Sequence, residues 1–312
     1  MAYILLILGF VLLVKGADFF VEGSSSVAKL LRIPTIIIGL TIVAFGTSAP
    51  ELAVSISASL SGSNDIAVGN VIGSNIFNLM MVLGLCSLLA PMPMDKKILN
   101  GDYLYAILAA VVMLLLFGFD HDLSRLDGII LLIMFAYFME KTVRSALKDR
   151  AAGTDDDDEE EIKVLSPLLS VVYIIGGMAA IVIGGNLVVD NASLIAASFG
   201  LSETLIGLTV VAFGTSLPEL VTSMVASKKG ENGLALGNVI GSNLFNILFV
   251  LATSTTISPM KVDVLSTFDA IFLIAASALT WLMAKKDYQI GRMRGAIMVA
   301  LYLAYTVYII MR

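Results

Sequence analysis

Long apolar runs separated by short polar loops dominate the chain. A helix needs roughly 20 such residues to cross a bilayer core. Ten runs come close to that length: 3–21, 34–60, 66–90, 103–119, 126–146, 166–189, 203–227, 233–257, 266–284 and 292–311. The pattern predicts an all-α polytopic membrane protein with ten transmembrane helices. The first run has no basic segment before it and has a counterpart later in the chain, so it reads as a span rather than a signal peptide.

Polar residues between the runs set the orientation, because cytoplasmic loops accumulate Lys and Arg. Ten spans place both termini on the same side. The loops after odd-numbered spans share one face and hold Lys15, Lys29, Arg32, Lys96, Lys97, Lys141, Arg144, Lys148, Arg150, Lys163, Lys228, Lys229, Lys285, Lys286, Arg292 and Arg294. The other face holds only Arg125, Lys261 and Arg312. Sixteen against three predicts external termini.

The pattern also repeats. GLTIVAFGTSAPEL at 39–52 recurs as GLTVVAFGTSLPEL at 207–220, identical at 12 of 14 positions. GNVIGSNIFN at 69–78 recurs as GNVIGSNLFN at 237–246. Both pairs are offset by 168 residues, and the same offset relates Gly9 to Gly177, Gly16 to Gly184 and Glu22 to Asp190. Expected boundaries are a first five-helix repeat at 1–150, a linker at 151–163 and a second repeat at 164–312. Five spans is an odd number, so the second repeat enters the membrane from the opposite side. Secondary transporters are commonly built this way, with substrate sites near the midplane where the repeats meet.

What recurs is polar sequence at membrane depth. Glu51 and Glu219 are the only carboxylates near the middle of an expected span, and a charge there costs roughly 2.5–3.5 kcal/mol even on the mildest scale. No Lys or Arg lies deep enough to serve as partner; Lys15 comes nearest and can snorkel to a membrane face. A bound cation or a proton must compensate. In Gly46-Thr47-Ser48-Ala49-Pro50-Glu51 the proline removes a backbone donor, so helices 2 and 7 should break here and at Gly214–Glu219, freeing carbonyls toward a cavity. Gly69 and Gly73 are expected to allow close helix approach. Ser74 and Asn78 share one helical face, as do Ser242 and Asn246. Carboxylate, carbonyl, hydroxyl and amide oxygens together suit hard cations such as calcium and sodium.

Composition agrees. Hydrophobic residues make up 58% of the chain and charged residues 14%, against roughly a quarter charged in soluble domains. The net charge of −6 misleads, because seven acids lie together at Asp155–Glu161; without them the balance is +1. That run reads as a solvated linker: it lacks the spaced ligands and turn glycine of an EF-hand loop. One cysteine, Cys86, and one histidine, His121, exclude a zinc cluster. Cys86 reads as buried and inert, His121 as a surface residue. With no Ser-His pair and no HExxH motif, an enzyme is not expected, nor is a cofactor. The bilayer is an expected partner; a nucleic acid is not, and no protein partner can be inferred.

GTSAPE and GTSLPE, each followed by a GN-x-x-GSN segment, resemble the two alpha repeats of the sodium/calcium exchanger family within the cation/calcium antiporters, especially its short archaeal and bacterial members. The likeness extends over the whole chain. It implies a plasma-membrane antiporter exchanging sodium for calcium by alternating access, the first and sixth helices sliding across the rest of the bundle. Small surfaces at Gly16 and Gly184–Gly185 suit such sliding. Glu51 and Glu219 would be the central calcium ligands, with the carbonyls of Thr47 and Thr215. Sodium sites would use the same glutamates, with the Ala44 carbonyl, Ser48 and Ser242 on one side and the Ala212 carbonyl, Ser216 and Ser74 on the other. Asn78 and Asn246 would line the centre. Potassium-dependent members carry Asp at the place of Asn246, which weakens the case for potassium coupling here. A proton-coupled calcium/cation antiporter using the same glutamates is the alternative; the GTS-x-P form tilts the driving ion toward sodium.

Overall fold

The computed structural model of the chain describes residues 1–152, 164–200 and 212–311. The acidic run Asp155–Glu161 and the first part of the expected 203–227 span, through residue 211, lie outside the described residues. The helices are α1 (Ala2–Leu31), α2 (Thr35–Thr47) and α3 (Ala49–Leu60), α4 (Asn64–Leu89) and α5 (Lys96–Phe117). They continue with α6 (Arg125–Ala152), α7 (Pro167–Ser198), α8 (Ala212–Thr215) and α9 (Leu217–Lys228). Last come α10 (Asn232–Ile257), α11 (Val264–Lys285) and α12 (Arg292–Met311). Among the described residues seven of these are long and apolar enough to cross a membrane, or eight if the bent pair α2–α3 is one span. Helix α6 covers the expected 126–146 run but is not among them; it carries Asp127, Glu140, Lys141 and Arg144.

Two short antiparallel bridges tie the helix ends together. Met92–Pro93 (β1) pairs with Gln289–Ile290 (β4), and Asp122–Leu123 (β2) pairs with Met260–Lys261 (β3). The loops after the third and ninth expected spans therefore meet, as do those after the fourth and eighth.

Helix α1 runs ten residues past its expected end at 21. Asp18 and Glu22 mark the end of the apolar run but do not stop the helix. Ser24, Ser25 and Ser26 continue it and are buried, and Arg32, in a left-handed conformation, closes it by donating its N–H to the Ala28 and Lys29 carbonyls. Lys15 consequently lies in mid-helix, not in a loop, with an exposed side chain 3.9 Å from Asp18. His121 is half-buried rather than exposed, and its carbonyl accepts the Val262 N–H at 2.9 Å.

The burial pattern divides the bundle. In α4 and α10 the apolar stretches are 83% and 94% buried, against 33% in α1 and 28% in α7. Helices α4 and α10 are thus the centre, while α1 turns Ile4, Ile7, Val11 and Val14 outward, as suits a lipid-facing helix. Helices α1 and α7 lie antiparallel with their backbones almost touching. A Cβ at Gly9 would sit 2.9 Å from the Gly184 carbonyl oxygen, one at Gly16 2.8 Å from that of Gly177, and one at Gly23 2.8 Å from that of Ser170. Recurrence every seven residues keeps these positions on one face, and small residues there let the backbones approach. Gly185 faces away from this seam toward Pro218.

Candidate functional site

The two helix breaks are narrower than an unwound GTS-x-P stretch. Only Ser48, at φ −84° and ψ 6°, separates α2 from α3, which meet at a bend of 47°. Ser216 adopts nearly the same conformation, φ −93° and ψ 6°, between α8 and α9. Pro50 and Pro218 fall in the first turn of the following helices. A proline is accepted there because its missing N–H has no intrahelical duty. The same missing N–H leaves the Gly46 and Gly214 carbonyls without their usual donors.

Glu51 and Glu219 consequently lie in the first turns of α3 and α9, where the positive end of the helix dipole favours an anion. Both are fully buried. Their hydrogen bonds cross between repeats. Ser48 Oγ donates to Glu219 Oε1 at 3.0 Å, and Ser216 Oγ reaches Glu51 Oε1 at 3.1 Å. Ser74 Oγ approaches Glu51 Oε1 at 3.4 Å and lies 3.0 Å from Ser216 Oγ. Thr47 Oγ1 lies 3.4 Å from Ser242 Oγ. The second carboxylate oxygen of each glutamate, Oε2, is buried and accepts no hydrogen bond among the described residues.

Asn78 and Asn246 are also fully buried, and neither side-chain amide has a hydrogen-bond partner among the described residues. Each opens a π-helical turn, Asn78–Val82 in α4 and Asn246–Leu251 in α10; such turns often mark functional sites. Ala44 is buried at the start of the last turn of α2, Thr215 is half-buried, and Ala212 opens α8. Most of the expected ligand residues are thus brought together around the two breaks.

The glycines of the GN-x-x-GSN segments behave differently in the two repeats. A Cβ at Gly237 would lie 2.4 Å from the Ile36 carbonyl oxygen, and one at Gly241 2.7 Å from the Ala44 Cβ, so α10 lies flush against α2. Gly69 and Gly73, expected to allow close approach, meet no described atom within 4 Å. The segment one repeat on from α2, which begins at residue 203, lies largely outside the described residues.

Two asparagines were missed from the sequence. Asn70 Nδ2 donates to Ser55 Oγ at 2.9 Å and to the Glu51 main-chain oxygen at 3.2 Å. Asn238 Nδ2 donates to Ser223 Oγ at 2.9 Å and to the Glu219 main-chain oxygen at 3.5 Å. Their Oδ1 atoms accept from the threonine of the other repeat: Thr47 to Asn238 at 3.0 Å and Thr215 to Asn70 at 3.5 Å. The signal was present, since residues 70, 74 and 78 share one helical face.

The family profile described as "Sodium/calcium exchanger protein" matches residues 1–140 and 169–311. The chain belongs to the sodium/calcium exchanger family. It is 35% identical to the sodium/calcium exchanger MaX1 of Methanosarcina acetivorans, over 98% of this chain and 97% of that protein. It is 38% identical to the putative antiporter CaxA of Alkalimonas amylolytica, over 97% of each. Among solved structures, the sodium-calcium exchanger NCX_Mj soaked with zero sodium and calcium superimposes with a TM-score of 0.86 at 34% identity, covering 99% of this chain and 98% of that one. This exchanger-family chain is therefore a helical membrane protein of a transporter family.

Proposed function

We propose that this chain is a secondary antiporter of the cell membrane that exchanges sodium for calcium by alternating access, with ten spans in two inverted five-helix repeats and both termini external. The related exchangers, the 168-residue offset, the antiparallel α1–α7 seam and the meeting of loops expected on one face support that architecture. Calcium is held by Glu51 and Glu219 with the Thr47 and Thr215 carbonyls. Sodium uses the same glutamates with the Ala44 and Ala212 carbonyls and Ser48, Ser242, Ser216 and Ser74, while Asn78 and Asn246 line the centre.

Two fully buried carboxylates, each with one oxygen that has no hydrogen-bond partner among the described residues, carry the conclusion. With both ionised the empty site holds two negative charges at low dielectric. One calcium ion neutralises them, and so do two sodium ions. Shared ligands make the two loadings mutually exclusive. An empty, doubly charged site resists being sealed beneath apolar helices, because uncompensated buried charge is expensive. The bundle therefore switches when loaded with either ion and stalls when empty, which makes exchange obligatory.

Glu51→Gln and Glu219→Gln in proteoliposomes test the site. Either change should abolish sodium-gradient-driven calcium uptake; uptake persisting near the wild-type rate would place the ions elsewhere. Imposing sodium, potassium and pH gradients separately identifies the driving ion. Uptake driven by the pH gradient alone would assign proton coupling instead.

A further inference from the structure

We infer that Asn70 and Asn238 are positioning residues that help set calcium affinity by holding the threonine of the opposite repeat, and that sodium binding depends on them less. The inference rests on the calcium ligands proposed above.

Each asparagine side chain spans two helix breaks at once. Asn238, fully buried in α10, fastens its own repeat through Nδ2, bonded to Ser223 Oγ and the Glu219 main-chain oxygen. Its Oδ1 accepts the Thr47 hydroxyl at 3.0 Å, across to the first repeat. Asn70 makes the reciprocal set, with Ser55 Oγ and the Glu51 main-chain oxygen on one side and Thr215 on the other. An amide does this where a carboxylate or a hydroxyl cannot, because it offers donors and an acceptor from one rigid plane.

Thr47 and Thr215 are the last residues before the breaks at Ser48 and Ser216. The Ser48 N–H still bonds the Ala44 carbonyl at 3.0 Å, so the peptide plane that carries the Thr47 carbonyl is held by that one helical bond and, through the side chain, by Asn238. Each threonine carries the carbonyl proposed as a calcium ligand, so the hydroxyl–amide bond helps to hold that carbonyl in place. Calcium gathers six to eight oxygens at 2.3–2.6 Å and loses most when one is misdirected. The proposed sodium ligands are the Ala44 and Ala212 carbonyls and serine hydroxyls; the Thr47 hydroxyl lies 3.4 Å from two of them, the Ala44 carbonyl oxygen and Ser242 Oγ, longer contacts than its 3.0 Å bond to Asn238. The bond at Thr47 is shorter and more enclosed than its reciprocal at Thr215, which is half-buried. The Thr47–Asn238 side should therefore carry the larger effect.

Thr47→Val tests this, since it keeps the carbonyl and the shape and removes only the hydroxyl. The calcium concentration giving half-maximal uptake should rise roughly tenfold, at the low end of what losing an outer partner costs a metal site. The half-maximal sodium concentration should shift clearly less than the half-maximal calcium concentration, because the hydroxyl's contacts with the Ala44 carbonyl and Ser242 are the longer ones. Thr47→Ser restores the hydroxyl and should restore calcium affinity. Thr215→Val should show the same split, less strongly. Equal shifts for calcium and sodium, or no rescue by serine, would overturn the inference and leave the hydroxyl a packing role. Glu51→Gln measured alongside separates the two levels: if it abolishes exchange while Thr47→Val leaves calcium affinity unchanged, only the positioning role fails.

Discussion

Ser48 donates its hydroxyl at 3.0 Å to the carboxylate of Glu219, a residue of the other repeat. Ser216 does the same for Glu51 at 3.1 Å. Each serine forms the one-residue break before its own glutamate, yet it serves the opposite one. Each carboxylate thus takes its shortest hydroxyl hydrogen bond from the other repeat, Ser74 of the first repeat lying farther from Glu51, at 3.4 Å. Ser216→Ala removes the donor to Glu51 and also the contact with Ser74 at 3.0 Å, so it should weaken sodium activation of calcium uptake more than Ser48→Ala. A lost hydrogen bond to a charged group is worth roughly 1.5–3 kcal/mol, so shifts of about tenfold or more are expected in proteoliposome flux assays. Equal and negligible shifts in the two variants would remove the serines from the ion path.

Asn246 is fully buried at the start of a π-helical turn, and its side-chain amide has no hydrogen-bond partner among the described residues. On the proposed site, Asn246→Asp adds a third negative charge to those of the two glutamates. One calcium ion then leaves one charge uncompensated, and burial of that charge is costly. Calcium uptake by the variant should become stimulated by potassium or by mild acidification, and be slower than wild type when both are withheld. Flux measured with potassium replaced by choline, at two pH values, checks this. A variant indifferent to both would show that position 246 does not face the ions.

Neighbouring glycines in α7 should respond in opposite directions. A Cβ at Gly177 would meet the Gly16 carbonyl oxygen and the Phe20 nitrogen at 2.7 Å, whereas one at Gly176 meets nothing within 4 Å. Gly177→Ala must prise α1 from α7, and overpacking of this kind costs roughly 1–3 kcal/mol. Gly176→Ala gains roughly 0.5–1 kcal/mol of helix stability. Thermal unfolding in detergent should show a lowered midpoint for the first and an unchanged or raised midpoint for the second. A lowered midpoint for both would mean that the seam is not what distinguishes them.

Much of this was legible in the sequence because a membrane penalises polarity so heavily. Glu51, Glu219 and the serines beside them stand out against apolar runs, and the 168-residue offset pairs them without a structure in hand. The same offset says nothing about contact. It equates Gly9 with Gly177 and Gly16 with Gly184, but the antiparallel seam pairs Gly9 with Gly184 and Gly16 with Gly177. The length of α1 was hidden because Asp18 and Glu22 look like a span's end. Their partner, Lys229, lies far away in sequence. Asn70 and Asn238 escaped notice because an asparagine in a small-residue helix reads the same whether it binds a backbone carbonyl or an ion.

Lys229 follows the end of α9 and holds α1 from outside it. Its ammonium lies 2.5 Å from Asp18 Oδ1 and 3.9 Å from Glu22 Oε2, and 3.2 Å from the Asp18 carbonyl. The first repeat has no equivalent: Ser61 occupies the position 168 residues earlier, and Asn186 stands where the offset carries Asp18. A pair of helices that slides across the bundle would thus be tethered by charge in the present conformation and not in its mirror counterpart. Lys229→Gln should therefore destabilise this conformation and speed turnover. The lysine side chain is 33% exposed, so solvent screening limits the contact to about 1 kcal/mol at most, or roughly a fivefold increase in maximal exchange rate. The increase should shrink in high choline chloride, which screens the wild-type pair. An unchanged maximal rate would mean that the Lys229–Asp18 contact persists through the whole cycle and that α1 does not slide relative to the end of α9.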